Sequence, residues 1–472
     1  MQILPFRFSS FSSIFILFTA TSVAAQPSVP LPIGADGLQP PALSSPPARE
    51  LAPSTTPFKN ELPKRIPLPP TASQGPAVPY TIEEVQRLGL QANGLVLAAR
   101  SQVGMAKGGV VAASAYLNPE VMFMMGPMDK QLPERFTGPS NHQHSVTVIQ
   151  PIENPFMRSA RIGASEAIVD ASRASLDQIS TDLAAQLRVR AYELLLRQEQ
   201  AALEQSIYDL LSDVRRRIAA NVERGEVARF ELIRADTELQ SADNRKEAAR
   251  LNAERAKVFL MQLTAGALPA NFQIKGSLKD PVDLPPLDVL RQQVPTVNPD
   301  VVRLEAEQER ANKRISQERA SILPSINVLY TNYQDQQFQS NTAGMSVRIP
   351  IWYRRRGEID TAIFDSARVK ESLEYRRYEI SQLFEAAWQA YQIAVQRVAM
   401  FEGGLIKEAE NAVKVAEAAY KFGERGLIEF LDSQRILRGI LGDALLARFD
   451  LHSAAAEIDR LRAHYPKELV PE

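Results

Sequence analysis

The 472-residue sequence contains no cysteine, which excludes disulfides, thiolate metal sites, a cysteine nucleophile and lipid attachment at an N-terminal cysteine. Neither charge is in excess, with 54 lysines and arginines against 55 aspartates and glutamates, so nothing suggests an electrostatic nucleic-acid binder. Past the N-terminal region no stretch has the roughly 18 consecutive apolar residues of a transmembrane helix. Motifs of the GxSxG, P-loop and HExxH kinds are also missing. No nucleophile, acid–base pair or metal cluster recurs at useful spacing, so the sequence implies neither an enzyme nor a cofactor.

Residues 1–25 carry one positive charge, Arg7, then an apolar run from Phe11 to Val23, then Val23-Ala24-Ala25 before Gln26. That is the pattern of a secretory signal peptide, and the run is short for a membrane anchor. Residues 26–79 hold close to half of the 32 prolines. Such a stretch cannot bury enough apolar surface to offset ordering, and is expected to be a disordered or polyproline-like leader. An exported chain without a spanning helix is either soluble or held in an outer membrane by strands.

The remainder is duplicated. Val222–Leu239, VERGEVARFELIRADTEL, is echoed by Tyr420–Leu437, YKFGERGLIEFLDSQRIL, with Gly225 on Gly423, Ile233 on Leu431 and Leu239 on Leu437. Asn93 and Pro119 correspond to Asn298 and Pro324, about 205 residues on, and Gln150-Pro151-Ile152 answers Ile349-Pro350-Ile351. Each half reads helix, strand, turn, strand, long helix, glycine tip, helix, and a repeat on this scale governs the fold. The expected units are 80–265 and 287–463, joined by a proline-containing linker at 266–286 and followed by a tail at 464–472.

Thr81-Ile82-Glu83-Glu84 has the form of a capping box, so the first helix is expected to begin there and to run with interruptions to about Leu117. Glu120–Gly126 and His144–Ile152 read as one pair of strands, Ser325–Asp335 and Thr342–Ile351 as another. In the last of these Met345, Val347 and Ile349 alternate with Ser346 and Arg348, the pattern of a strand between an apolar and a wet environment. Four strands are too few to close a membrane barrel, whose single-chain minimum is about eight, so closure must be shared between subunits. From about Met157 to Val222 and from about Gly357 to Phe422 there is no proline and little glycine. Apolar residues recur there at threes and fours, as in Leu176, Ile179, Leu183 and Leu187. Each such helix would be ~100 Å long at 1.5 Å per residue, the scale of a coiled-coil rod or tunnel wall. At the ends of these helices Gly225 and Gly423 accept the left-handed conformation that closes a helical hairpin.

These features resemble the TolC-like outer-membrane efflux proteins, over nearly everything from Tyr80 to Ala463. The stretches Val146–Ala167, VTVIQPIENPFMRSARIGASEA, and Gly225–Leu239, GEVARFELIRADTEL, look like the heavy-metal, CzcC-like branch, although Phe156-Met157 stands where that branch has a glycine. The resemblance implies a mainly α fold with a small β part. Three chains would each give four strands to a twelve-stranded outer-membrane barrel, and their duplicated long helices to a coiled-coil tunnel across the periplasm. It further implies a homotrimeric passive exit duct in contact with outer-membrane lipid, working with a periplasmic adaptor (membrane fusion) protein and an inner-membrane RND pump, with heavy-metal cations as cargo and organic compounds as the alternative. The exit duct of a type I protein secretion system shares this fold, and a periplasmic coiled-coil scaffold without a pore is a reading from another class.

By the same resemblance the glycine tips carry two roles. Arg224, Gly225, Glu226, Val227 and Ala228 at the first tip, and Gly423, Glu424, Arg425, Gly426 and Leu427 at the second, lie where family members meet the adaptor. Tyr420 and Arg425 resemble residues that hold the tunnel closed through bonds to an acidic group on the neighbouring hairpin, here Glu231. Glu429 and Asp432 resemble acidic rings that narrow the entrance. Carboxylates repeated around a narrow bore attract cations.

Three weaker signals remain. His142 and His144 have a spacing that suits a metal, though a solvated loop accounts for them as well. Met122, Met124, Met125 and Met128 could ligate copper(I) or face lipid. Trp352-Tyr353 with Arg354, Arg355 and Arg356 suits an aromatic girdle with basic residues at a membrane boundary.

Overall fold

A computed structural model of the chain describes residues 78–127, 142–335 and 338–466. The expected signal peptide, nearly all of the leader, Met128 and the end of the tail lie outside the described residues. In chain order the elements are β1 (Val78–Tyr80), α1 (Ile82–Ala92), α2 (Gly94–Ser114), β2 (Glu120–Pro127), β3 (His142–Ile152), α3 (Pro155–Glu223) and α4 (Arg229–Leu263). There follow β4 (Phe272–Ile274), α5 (Leu287–Val297), α6 (Pro299–Ala320), β5 (Ser325–Gln334), β6 (Gln339–Arg348), α7 (Arg356–Met400), α8 (Ile406–Lys421) and α9 (Leu427–Leu461). No described helix is long and apolar enough to cross a membrane.

Local chemistry explains the helix ends. Thr81 Oγ1 accepts the Glu84 N–H at 3.2 Å while the Glu84 carboxylate accepts the Thr81 N–H at 2.8 Å, the reciprocal box the sequence announces. Asn93 separates α1 from α2; its side-chain oxygen accepts the Leu95 N–H at 2.9 Å and its Nδ2 donates to the Leu263 carbonyl at 2.9 Å. In the second half Asn298 accepts from Asp300 N–H at 3.1 Å and donates to the Leu461 carbonyl at 3.0 Å. One asparagine per repeat therefore caps the start of one helix and the end of another, where backbone groups otherwise go unpaired. The two helices so tied, α4 and α9, both end on a left-handed alanine, Ala265 (φ 50°) and Ala463 (φ 54°).

The four long strands form one antiparallel sheet in the order β2-β3-β5-β6, so the two repeats join through β3 and β5, with Thr147 opposite Thr331. Register puts Val121, Phe123, Val146, Val148, Val328, Tyr330, Met345 and Val347 on one face, and Ser145, Thr147, Thr331, Tyr333 and Thr342 on the other. The polar face is the enclosed one: Ser145 is buried and Thr147 and Thr331 are half-buried, whereas Val148, Val328 and Tyr330 are exposed. Among the described residues, strands β2 and β6 are edges without a partner. The last strand ends at Arg348, earlier than the Ile351 expected, because Pro350 has no N–H to give to a ladder.

Helix α3 runs unbroken for 69 residues, started by Asn154, whose side-chain oxygen accepts the Phe156 N–H at 2.9 Å. Its counterpart is not continuous. The expected helix from Gly357 to Phe422 breaks into α7 and α8 at a π-type turn, Phe401–Leu405, in which Gly404 has φ 138°. Gly403-Gly404 is the cause, since glycine is the poorest helix former after proline and alone accepts that φ. Beside the sheet the helices lie in the order α2, α3, α6, α7, and farther along α4, α3 and α9 pack side by side, with α8 on α9. Both flanks of the upper row expose large apolar side chains: Leu95, Met105 and Val111 on α2, and Phe364, Tyr375 and Tyr378 on α7.

Where α1, α3, α4 and α9 meet lies a core built on Leu90, Leu187, Leu194, Leu260 and Phe272. The presumed linker contributes to it. Strand β4 lies within 266–286 and pairs in parallel with β1, so Val78 and Pro79, the end of the expected leader, are part of a sheet. Phe272 is 1% exposed, and this anchor explains why a linker-like sequence is held. The expected tail also begins packed, with the Tyr465 hydroxyl donating to Asp177 at 2.9 Å. Arg355, assigned above to a membrane boundary, is turned inward in a left-handed conformation (φ 53°) onto Glu318, which is 3% exposed and also bonded by Arg314 at 2.9 Å. Trp352 remains almost fully exposed.

Candidate functional site at the helical tips

Each hairpin turns through the same device. At the first tip Glu226 N–H donates to Asn221 O at 2.9 Å and Gly225 N–H to Val222 O at 3.0 Å, with Gly225 at φ 75°. At the second, Glu424 N–H donates to Ala419 O at 2.9 Å and Gly423 N–H to Tyr420 O at 3.1 Å, with Gly423 at φ 74°. These paired bonds close the last carbonyls of α3 and α8, and the sharp reversal needs a residue without Cβ. The returning helices are less complete: Ala228 precedes α4 and Gly426 precedes α9, and neither start has a side-chain cap. Residues Arg224–Ala228 and Gly423–Leu427 thus make two compact turns. Phe230 and Phe422 stand exposed beside them.

Between the hairpins lies a cavity of about 530 Å³ that Tyr420, Arg425 and Glu231 line together, along with Arg217, Asn221 and Phe430. The Tyr420 ring stacks on Phe430, centroids 6.2 Å apart and planes 13° apart. Burial, and then the negative charge of Glu231, push the Tyr420 hydroxyl above its ordinary value of 10.0, so it stays a donor. Arg425 shares the cavity with Glu231 without bonding to it, and forms no ion pair among the described residues of its own chain.

Glu429 and Asp432 are not part of that cavity. Asp432 is bound to Arg435 at 3.0 Å, one turn along α9, and Arg435 reaches across to Glu238 of α4 at 2.8 Å. Glu204 of α3 holds Arg245 of α4 at 3.3 Å and Arg438 of α9 at 3.7 Å. This belt of charges latches the two hairpins together, and sequence reading missed it. Glu238 and Arg435 sit inside the two echoed motifs, but nothing in their spacing shows that the motifs face each other. The Asp432–Arg435 pair is exposed on both sides and is worth at most about 1 kcal/mol, whereas the Glu204 pairs are half-buried.

The weaker candidates are dispersed. His142 and His144 stand on β3 on the face that carries Val146, with Met125 opposite His144. Among the described residues no group of three or more His, Asp or Glu is placed to hold a metal ion.

A family model described as outer membrane efflux protein matches residues 87–266 and 290–464. The chain belongs to the outer membrane efflux protein family. Within that family it is 24% identical over 407 residues to the cobalt-zinc-cadmium resistance protein CzcC of Cupriavidus metallidurans, covering 84% of this chain and 92% of that one. The fold is that of the channel CusC (TM-score 0.69, 14% identity, 84% of this chain and 96% of that one). It is equally that of the outer-membrane channel CmeC of Campylobacter jejuni (TM-score 0.68, 14% identity, 81% and 86%). The protein is accordingly an outer-membrane efflux duct, not an enzyme, with its helical part in the periplasm. Family members work as trimeric channels with adaptor and RND pump partners.

Proposed function

We propose that three copies of this chain close into one passive exit duct, edge to edge. The observation that carries this is the open sheet: four strands with unpaired edges at β2 and β6, an exposed apolar face and an enclosed polar one. An unpaired edge in a bilayer is untenable, because each lost backbone bond costs several kcal/mol there. In our reading β6 of one copy pairs with β2 of the next, and the apolar side chains of α7 meet those of α2 directly below.

The tips then serve two partners. Their compact turns, uncapped helix starts and exposed Phe230 and Phe422 suit docking of a periplasmic adaptor that links the duct to an inner-membrane pump. Tyr420, Arg425 and Glu231 form the gate, with Arg425 bonding an acidic group of the neighbouring copy. Glu429 and Asp432 supply negative charge at the entrance, and Asp432 acts through Arg435. The cargo is a heavy-metal cation, as the name of the relative, a cobalt-zinc-cadmium resistance protein, suggests for that protein.

Conductance of the purified protein in planar bilayers tests the reading. A small, mostly closed conductance that Arg425→Ala enlarges supports duct and gate together; protein that conducts equally with and without Arg425 rejects the gate, and protein that never conducts rejects the duct.

A further inference from the structure

On the enclosed face of the sheet two side chains do not match their surroundings. Register sets Met122 opposite Thr147 and Met124 opposite Ser145. It extends those rows through Thr331 and Tyr333 on β5 to Thr342 and Ser340 on β6. This face is lined with hydroxyls, and Thr147 Oγ1 lies 3.0 Å from Thr331 Oγ1. Methionine ordinarily fills irregular gaps in a core. Here Met122 and Met124 stay 40% and 56% exposed, so packing does not account for them. Their neighbours Val121, Phe123 and Met125 alternate onto the apolar face, where hydrophobicity has an evident use.

What the two methionines add to a hydroxyl-lined wall is thioether sulfur. The chain has no cysteine, so thioethers are its only sulfur ligands. Thioether sulfur is soft and selects copper(I), and silver(I) as its analogue, over zinc or cobalt, which favour imidazole and carboxylate. We propose that Met122 and Met124 form a contact point for soft monovalent cations on the inner wall of the duct. The inference rests on the trimeric reading above, since closure is what turns this face into a wall. Two sulfurs on alternate residues of one strand, with the hydroxyls of Thr147 and Ser145 opposite and Glu120 two residues before Met122 on the same face, make a weak site of low coordination. Weakness suits passage: a site in a conduit must hold a cation long enough to admit it and loosely enough to release it. Three copies present six thioethers around one bore, and β2 being an edge strand, the neighbouring β6 adds Ser340 and Thr342 on the far side.

The probe is silver(I), applied as nitrate in chloride-free electrolyte to the full-length protein reconstituted in a planar bilayer, with zinc nitrate as the hard comparison. Wild-type protein should show reversible silver block. The Met122→Leu/Met124→Leu variant, a volume-conserving change that leaves the open conductance intact, should need at least tenfold more silver for half-block. Zinc should act equally on both proteins. Equal silver block of wild type and variant, or no block of a conducting wild-type duct, overturns the proposal. If no conductance forms at all, the duct reading has failed on its own account, and calorimetric titration of silver into the detergent-extracted protein decides the site alone. Binding heat lost in the variant then supports it, and heat retained overturns it.

Discussion

The Nδ2 of Asn298 donates to the carbonyl oxygen of Leu461 at 3.0 Å, across 163 residues of chain and in a fully buried setting. The same asparagine starts α6, so a single side chain fixes where the second helix of that repeat begins and where its last helix ends. Asn93 does this for the first repeat in a half-buried position. Asn298→Ala should therefore destabilise by about 1–3 kcal/mol, as loss of a cap plus a buried carbonyl left unpaired, and Asn93→Ala by less. Asn298→Asp discriminates: it keeps the cap oxygen but cannot donate to Leu461, and should be no better than alanine. Thermal melts followed by circular dichroism in detergent read all three, and a neutral Asn298→Asp would contradict the tie.

Acid should loosen the region where the two repeats meet. His452 is buried, stacked on Tyr192 (centroids 3.9 Å apart) and within 3.2 Å of the Leu278 carbonyl. Burial, and then the positive charge of Arg188, hold it below its ordinary value of 6.5, and burial lowers His464 likewise. A histidine depressed in the fold binds protons more readily when unfolded. Its contribution is thus intact above about 6.5 and is lost as pH falls below that value toward the folded pKa. Melting temperature should fall between pH 7 and pH 5, and His452→Gln, which retains a donor for Leu278, should flatten the fall. An unchanged slope in that variant assigns the acid sensitivity elsewhere.

The two adjacent glycines of the π-type turn should respond in opposite directions. Gly404 has φ 138°, a backbone conformation that L residues rarely adopt even though nothing crowds the position, so Gly404→Ala should destabilise by about 1–2 kcal/mol or straighten the turn. Gly403 has no positive φ, and nothing lies within 4 Å of where its Cβ would stand. Gly403→Ala should stabilise by about 0.5–1 kcal/mol. Paired thermal melts read the sign of each, and equal effects would mean the turn does not depend on Gly404.

At the tips, Arg425→Ala and Tyr420→Phe separate two kinds of contact. Arg425 has no ion pair among the described residues of its own chain, so its removal should raise conductance severalfold while leaving the melting of the chain within about 0.5 kcal/mol of wild type. Tyr420→Phe keeps the stack on Phe430 and removes only the hydroxyl, so its conductance change should be the smaller. A large loss of stability in Arg425→Ala would mean that it holds its own hairpin rather than a neighbour.

What the sequence made legible follows from range. The capping box at Thr81, the glycine reversals at Gly225 and Gly423 and the 3.6-residue periodicity of α3 are set by residues within a few positions of one another, and all stand where the pattern put them. The correspondence of Asn93 and Asn298 was visible as a repeat, but not its purpose, because Leu263 and Leu461 carry no mark of an unpaired carbonyl. The β1–β4 pairing joins two three-residue strands nearly two hundred positions apart, too short for any periodicity to register. Arg355 read as a basic residue at a membrane boundary because its partner Glu318 lies 37 positions away on another helix. At the tips, the meeting of Tyr420 and Glu231 was expected from the family resemblance, while the turning of Asp432 toward Arg435 and Glu238 depended on how the two hairpins dock.

The account stands on closure by three copies, and the most direct measurement is the protein mass of the particle extracted from outer membranes in mild detergent, by light scattering corrected for bound detergent. Three copies of a chain of 52.4 kDa before processing are expected, from a particle that inserts into bilayers. A monodisperse monomer or dimer that never enters a bilayer would contradict it, leaving β2 and β6 as edges that pair with nothing and the helices as a scaffold without a pore.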